Sequence, residues 1–349
     1  MLVADIIKAA VAAGGSDIHL IYNVPPVVRS RGQVERLDMD PLTEDDCISI
    51  AKDLAGSHFD ELEEVGELDV AKNIGGERVR INVFRQQGKY SAALRILRNE
   101  IPDVKTLGLP KAVLEFPNYK KGIVLVTGET GSGKSTTLAA LLNEINHTRK
   151  NHIITLEDPI EYIYEPDQCI INQREIGKDT GSYASGLRAV LREDPDIILI
   201  GEMRDLDTID TAITAAETGH LVFATLHTNS AIESVDRIIN VFPSTRQQQI
   251  RMELASTLKA VVSQQLLPNM MGNGRVLAAE VMVSNPAIQN QIREGKTYQM
   301  GSTMLASSAD GCVTMDACLA NLALTGKISP QTAMENATDK DTVKKKMMM

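Results

Sequence analysis

Residues 128–135 read Gly-Glu-Thr-Gly-Ser-Gly-Lys-Ser, directly after the apolar run Ile123-Val124-Leu125-Val126 and before a helical stretch over residues 136–145. A G-x-x-x-x-G-K-[ST] pattern carries meaning in that strand–loop–helix context. The glycines let the backbone curl so that its N–H groups, and the positive end of the following helix, point at phosphate oxygens. The pattern therefore nominates Gly128, Thr130, Gly131, Ser132, Gly133, Lys134, Ser135 and Thr136 as the phosphate cradle. Lys134 is expected to reach the β- and γ-phosphates and the Ser135 hydroxyl to hold Mg²⁺. Nucleoside triphosphate binding is the first expectation, with ATP and Mg²⁺ as the ligands.

Outward from the loop, short apolar strands alternate with helical stretches, at residues 123–127, 152–157, 197–201, 221–226 and 276–283. That rhythm predicts an α/β domain with a mostly parallel sheet covered on both faces. Upstream the texture differs. Leu2, Val3, Ile6, Ile7 and Ala10 share one helical face, and Val27-Val28-Arg29 and Val34-Glu35-Arg36 flank Gly32 as hairpin arms. Thr43-Glu44-Asp45-Asp46 has the pattern of a capped helix start. Residues 78–84 alternate strictly, which puts Val79, Ile81 and Val83 on one face of a strand and Arg78, Arg80 and Asn82 on the other. A Gln-Gln-Gly-Lys turn leads to a partner strand over residues 92–97 that carries Arg95, with Arg98 just beyond. The expected organisation is a small α+β domain over residues 1–98, a Pro/Gly-broken linker over 99–121, the loop-bearing core over 122–285, and a helical region over 286–349 that closes in a frayed Lys/Met tail.

At 349 residues the chain has length for two cores, and 46 acidic against 36 basic residues give a net charge of −10. That balance offers no global attraction to nucleic acid. Cys47, Cys169, Cys312 and Cys318 show no C-x-x-C spacing, which fits a reduced compartment better than zinc or disulfides. The N-terminal stretch carries Asp5 and Lys8 within helical periodicity and reads as neither a signal peptide nor a membrane span. A soluble, cytoplasmic protein is expected.

Carboxylates decide what is done with a bound nucleotide. Ile197-Ile198-Leu199-Ile200 runs into Gly201-Glu202, and this strand is expected next to the loop strand in the sheet. Glu202 is the candidate for aligning or deprotonating a water and for assisting the metal; capping the following helix is its structural alternative. Gly201 takes the place usual for a metal-binding aspartate. A second acidic group, Glu157-Asp158-Pro159-Ile160-Glu161, ends another strand, with Glu157 and Glu161 both open as participants. His220 and His227 flank residues 221–226; His227, at the C-terminal end, is placed to sense a γ-phosphate. Phosphoryl transfer also draws on arginine, often supplied in trans, and Arg80 and Arg95 on paired strands are the candidates.

Taken together, Gly128–Ser135, Glu157–Glu161, Gly201-Glu202-Met203-Arg204-Asp205 and Gly219-His220 through His227-Thr228-Asn229 resemble, in order, the Walker A, Asp, Walker B and His boxes of the secretion ATPase superfamily. Within it the chain resembles the type IV pilus retraction ATPases, also at Gly15-Ser16-Asp17-Ile18-His19-Leu20 and Ile292-Arg293-Glu294-Gly295-Lys296. The resemblance implies a PAS-like N-terminal domain, a RecA-like P-loop core, and a hexameric ring that couples ATP hydrolysis to extraction of pilin. It implies that N-terminal arginines, here Arg80 and Arg95, complete the site. It also implies work at the inner face of the cell membrane with a pilus platform protein and the pilin machinery, and no nucleic acid. Assembly and type II secretion relatives carry a longer N-terminal region and a four-cysteine zinc element, neither of which is present. One motif departs: residues 287–294 read Ala-Ile-Gln-Asn-Gln-Ile-Arg-Glu, with Gln289 and Gln291 where the subfamily carries Arg and Leu. Two other readings compete, a DNA-moving motor and a nucleotide-gated scaffold with little turnover. The charge argues against the first, and Lys134, Ser135 and Glu202 against the second.

Overall fold

The two-residue period at residues 78–84 falls inside a strand, Glu77–Gln86, whose Val79, Ile81 and Val83 are fully buried while Arg80 is exposed. In a computed structural model, residues 2–30, 33–97 and 100–348 are described. The expected turn residue Gly32, and Arg98, lie outside them. The chain divides into two units, Met1–Glu100 with Pro159–Ile163, and Ile101–Asp158 with Tyr164–Met349.

The first unit contains α1 (Val3–Ala12), β1 (Gly15–Leu20), β2 (Val27–Ser30), β3 (Gln33–Arg36), α2 (Glu44–Ala55), α3 (Phe59–Val65), β4 (Glu67–Ile74), β5 (Glu77–Gln86) and β6 (Lys89–Leu97). The strands form one sheet in the order β3-β2-β1-β6-β5-β4, with every neighbouring pair antiparallel. Val3, Ile6, Ile7 and Ala10 of α1 are buried, as their spacing requires. Thr43 caps α2 through a reciprocal box with Asp46, satisfying two backbone donors that the first turn leaves open. Strand β4 was not foreseen. It is an edge strand in which Leu68 and Val70 are buried but Glu67 and Asp69 face out, so charge dilutes its apolar signal.

The second unit opens with two 3-10 turns, Val104–Thr106 and Lys111–Asn118, whose Val104, Val113 and Phe116 are buried. Then follow β7 (Gly122–Thr127), α4 (Lys134–Thr148), β8 (His152–Glu157), β9 (Ile170–Glu175), α5 (Tyr183–Val190), β10 (Ile197–Ile200), α6 (Leu206–Glu217) and β11 (Leu221–Leu226). After α7 (Ala231–Asn240) and α8 (Ser244–Thr257) come β12 (Leu258–Pro268) and β13 (Arg275–Val283). The seven-stranded sheet has the order β13-β12-β7-β11-β10-β8-β9 and is parallel except for the β12–β13 hairpin. Every residue of β7, β10 and β11 is buried, the signature of a parallel sheet covered on both faces. The crossovers β7–β8, β10–β11 and β11–β12 are helical, as parallel strands usually demand, whereas β8 reaches β9 through an irregular segment over residues 158–169.

Three expectations are corrected here. β10 does not neighbour the loop strand, because β11 lies between β7 and β10. β12 and β9 were not anticipated. The apolar run of β12 is interrupted by Ser263-Gln264-Gln265, and β9 is an edge strand with exposed Ile170. Finally, the tail is not frayed. After α9 (Pro286–Arg293), α10 (Met300–Ala306), α11 (Met315–Leu324) and α12 (Pro330–Glu335), residues Lys340–Met348 form α13. Its Val343 is fully buried beside Leu319, Leu322 and Ile328. Val343, with half-buried Met347 on the same cluster, docks a short helix whose Lys344 and Lys345 stay in water.

Glu280 on β13 ties this region together. Its carboxylate accepts from the first backbone N–H of α7 (Ala231, 2.9 Å) and the first of α11 (Met315, 3.2 Å). Burial raises this carboxyl above the ordinary glutamate range, although both N–H groups act to lower it. A raised native value means that the stability gained by binding the proton is fully present below the unfolded-state value, about 4.3, and is lost as pH rises through the native one. Urea midpoints from pH 4 to 8 should therefore fall more steeply with rising pH for the wild type than for Glu280→Gln; parallel slopes would refute the assignment.

Candidate nucleotide site

The loop between β7 and α4 is shaped by a steric exclusion. Gly128 has φ 139°, and a Cβ there would stand 2.4 Å from the Gln264 carbonyl oxygen and 2.6 Å from Ser132 Oγ. No other residue fits that approach. Gly133, the cap of α4, has φ 93°, which turns the chain into the helix. The Lys134 ammonium donates to the carbonyls of Gly128 (2.8 Å) and Glu129 (2.9 Å), so it spans the mouth of the loop. Thr130, Gly131 and Ser135 are exposed, Gly133, Lys134 and Thr136 are half-buried, and Ser132 is buried. The loop is thus an open concavity of backbone N–H groups at the positive end of a fifteen-residue helix.

β12 anchors this loop from the side. Thr127 and Ser263 share a buried hydroxyl–hydroxyl hydrogen bond of 2.8 Å, and Gln264 Nε2 donates to Thr137 Oγ1 on α4 at 2.8 Å. The polar residues that hid β12 from a periodicity reading are the ones that hold the loop.

The parallel strands place their C-terminal ends along one edge, where ligands of open α/β sheets bind. Glu202 follows β10 and His227 follows β11. Glu202 Oε2 accepts from Arg204 Nη2 at 2.6 Å, and Oε1 lies 3.2 Å from His227 Nε2. Burial would raise the Glu202 carboxyl, but the hydrogen bond from Arg204 and the charge of His227 outweigh it and hold the group below the ordinary range. Glu202 is an ionised acceptor at neutral pH. The capping alternative for Glu202 is excluded, because Asp205 accepts from Thr208 N at 2.9 Å and caps α6.

Glu157 Oε1, at the end of β8, accepts from Thr155 Oγ1 (2.6 Å) and Gln173 Nε2 (3.2 Å). Asp158 beside it is exposed. Glu161 is exposed as well and belongs to the segment Pro159–Ile163, which groups with the first unit. His220 stands at the opposite end of β11 from His227, with Nδ1 2.8 Å from the Ala215 carbonyl of α6. Among the described residues no group of three or more His, Cys, Asp or Glu forms a metal cage.

Sequence reasoning missed Tyr183. A Cβ on Gly201 would stand 2.8 Å from the Tyr183 hydroxyl and 3.1 Å from the Leu156 carbonyl. A side chain at position 201 would have to displace the Tyr183 hydroxyl and crowd the β8 backbone, so the packing of α5 suits glycine there. Burial, and then the negative charges of Asp158, Glu202 and Glu157, push the Tyr183 phenol well above its usual range. Only its position after the Ser182 cap of α5 marked it in the sequence.

In the first unit, Arg80 and Arg95 are directly paired across β5 and β6, and Asp17 of β1 pairs with Arg95 from the other side. Two like charges opposite each other repel. Arg95 Nε donates to Asp17 Oδ1 at 2.8 Å, which neutralises one of them. Burial would raise the Asp17 carboxyl, yet the hydrogen bonds from Ser16 and Arg95 keep it below the ordinary range.

Comparison with known proteins places this geometry. A family model described as Type II/IV secretion system protein matches residues 76–315. The type IV pilus retraction ATPase PilT of Pseudomonas aeruginosa is 42% identical over 97% of this chain and 98% of its own. A twitching motility protein of Neisseria gonorrhoeae is 40% identical over 91% of this chain and 86% of its own. A crystal structure of the pilus retraction motor PilT with bound ADP superposes with a TM-score of 0.93 at 48% identity, covering 99% of both chains.

Two of the three loop glycines separate sterics from backbone strain. Gly128→Ala should weaken nucleotide binding at least tenfold in calorimetric titration. Gly131→Ala, at φ 81° with nothing within 4 Å of its Cβ, carries about 1–2 kcal/mol of backbone strain in the free and the bound loop alike, so its binding in the same titration should stay close to that of the wild type. Equal losses would mean that the approach to Gln264 does not shape the loop.

Proposed function

The chain belongs to the type II/IV secretion system protein family, and from that premise we propose that it is an ATP-hydrolysing motor that powers type IV pilus retraction. What carries the reading is its full-length likeness to retraction ATPases together with an open phosphate loop and an ionised Glu202 at the ends of one parallel sheet. In this reading the backbone of residues 128–136 holds the phosphates and Lys134 lies against the β- and γ-oxygens. The exposed Ser135 hydroxyl and the ionised Glu202 carboxylate would be the hard oxygen donors offered to Mg²⁺. When bound, that ion offsets the phosphate charge. Glu202 orients the attacking water and accepts its proton; with its carboxyl held low, it acts more through position than through basicity. His227, 3.2 Å from the same carboxylate, links the state of the γ-phosphate to β11. Glu157 and Glu161 are the further acidic participants.

Arg80 and Arg95 are assigned to the transition state, supplied across a subunit boundary. Heterologous interfaces that close make rings, and a homo-hexamer is the proposed assembly. No helix among the described residues is long and apolar enough to cross a membrane. The ring is placed in the cytoplasm at the inner face of the cell membrane, acting through a pilus platform protein on pilin. We assign the arginine-bearing sheet and the loop-bearing sheet to separate domains, residues 1–98 and 122–285, with residues 99–121 joining them and residues 286–349 as the C-terminal part.

Two experiments test this. Arg80→Ala/Arg95→Ala chains and Glu202→Gln chains should each bind ATP yet turn it over at least 100-fold more slowly. An equimolar mixture of exchanging subunits should recover about a quarter of wild-type turnover if each head-to-tail interface acts alone. A mixture as inactive as its parts would remove the shared site, and an active Glu202→Gln enzyme would remove its assigned role. Deleting the gene should leave cells with excess surface pili and no surface motility. Bald cells would mean that the motor assembles pili.

A further inference from the structure

Three elements of the second unit end at one corner. The turn between β12 and β13 is tied to the residues after α11, because Met270 N donates to the Lys327 carbonyl at 2.9 Å. Near the start of α13, the backbone N–H groups of Thr338 and Asp339 donate to the Asp316 carboxylate in the first turn of α11. From there α13 packs along α11, a helix of nearly the same length, with Val343 and then Met347 against the cluster that Leu319 and Leu322 of α11 belong to. α13 therefore runs alongside α11 in the same direction, and its last turn arrives where α11 and the hairpin also end.

That corner is apolar and basic together. Met270 is 57% exposed, Met271 84%, Leu324 58% and Met348 75%. Arg275, Lys327, Lys344 and Lys345 are exposed around them and Lys346 is half-buried. In a chain of net charge −10, the three stretches 267–275, 320–329 and 342–348 contain these five cations and no Asp or Glu. The nearest carboxylates on α13, Asp339 and Asp341, stand at its opposite end, where Asp339 caps the helix through Thr342.

We propose that this corner is a docking surface for an anionic lipid bilayer, with the methionines and Leu324 entering the headgroup boundary and the cations lying over lipid phosphates. Unbranched Met and Lys side chains suit such a boundary, where the apolar part enters and the ammonium stays at the charged level. Protein–protein interfaces are enriched in aromatic residues and arginine and depleted of lysine; this corner has four lysines counting Lys327, one arginine and no aromatic residue. The surface potential of an anionic leaflet adds to the attraction lysine by lysine. The proposal does not rest on the motor reading, because lipid binding is measured without ATP.

The test is flotation of the full chain with phosphatidylcholine vesicles, with and without roughly 30% phosphatidylglycerol. The wild type should float with the anionic vesicles only, and less as salt rises, since the attraction is screened over about 10 Å at 0.1 M. Lys344→Glu/Lys345→Glu/Lys346→Glu should weaken this binding on the order of 100-fold. Met270→Ser/Met271→Ser should weaken it roughly tenfold on the same vesicles. Both variants should keep the wild-type circular dichroism and the wild-type ATP turnover in solution. The proposal is overturned if the wild type ignores anionic vesicles or binds neutral ones equally well, or if charge reversal leaves flotation unchanged. Loss of ring assembly by sedimentation velocity, with lipid binding intact, would overturn it in favour of a contact between copies.

Discussion

The Gln264 carbonyl occupies the space that a side chain on residue 128 would need. Much of the second unit follows from that close approach. It puts the loop backbone hard against β12. It also requires a strand that is apolar at its ends, to live in the sheet, and polar in its middle, to grip the loop. Ser263 and Gln264 meet both demands through Thr127 and Thr137. A buried polar group is tolerated where a partner satisfies it, and here the Ser263 hydroxyl and the Gln264 side-chain N–H find theirs on Thr127 and Thr137, at the two ends of the phosphate-binding element.

The acidic side of the site obeys a second exclusion. With α5 packed on the sheet, the Tyr183 hydroxyl and the Leu156 carbonyl close the space above residue 201. An aspartate there would have to displace Tyr183, and the carboxylate at this strand end is that of Glu202. There it is no longer constrained by the strand, and Arg204 and His227 fix its direction from two sides. Charge that would be costly to bury alone is stabilised by paired donors. The same geometry places His227 directly after β11, the strand between the loop strand and the Glu202 strand, so one histidine can report to both.

In the first unit the important pairing is cationic. Arg80 and Arg95 face each other across two strands, an arrangement unfavourable in isolation. Asp17 from the third strand relieves it by engaging Arg95 and leaves Arg80 exposed. The β-sheet register, and not sequence proximity, brings these three residues onto one face.

The loop, its flanking strand and helix, the capped start of α2 and the alternation of β5 were all legible in the sequence, because each depends on neighbours within one turn or one strand. Glu202 and His227 were legible as strand-end residues for the same reason. The sheet order was not, since hydrogen bonds between distant strands leave no local trace; adjacency of β7 and β10 was a fair reading of chain order and failed when β11 came between them. β12 was hidden because its central polar residues are paid for by contacts made elsewhere in the fold. Tyr183 and the twofold use of Glu280 were invisible because both act across elements far apart in the chain. α13 was misread because Val343 and Met347 among lysines are too weak a signal until α11 is beside them. Local chemistry chose the elements; packing chose which polar groups could be buried, and so where the site's charges came to rest.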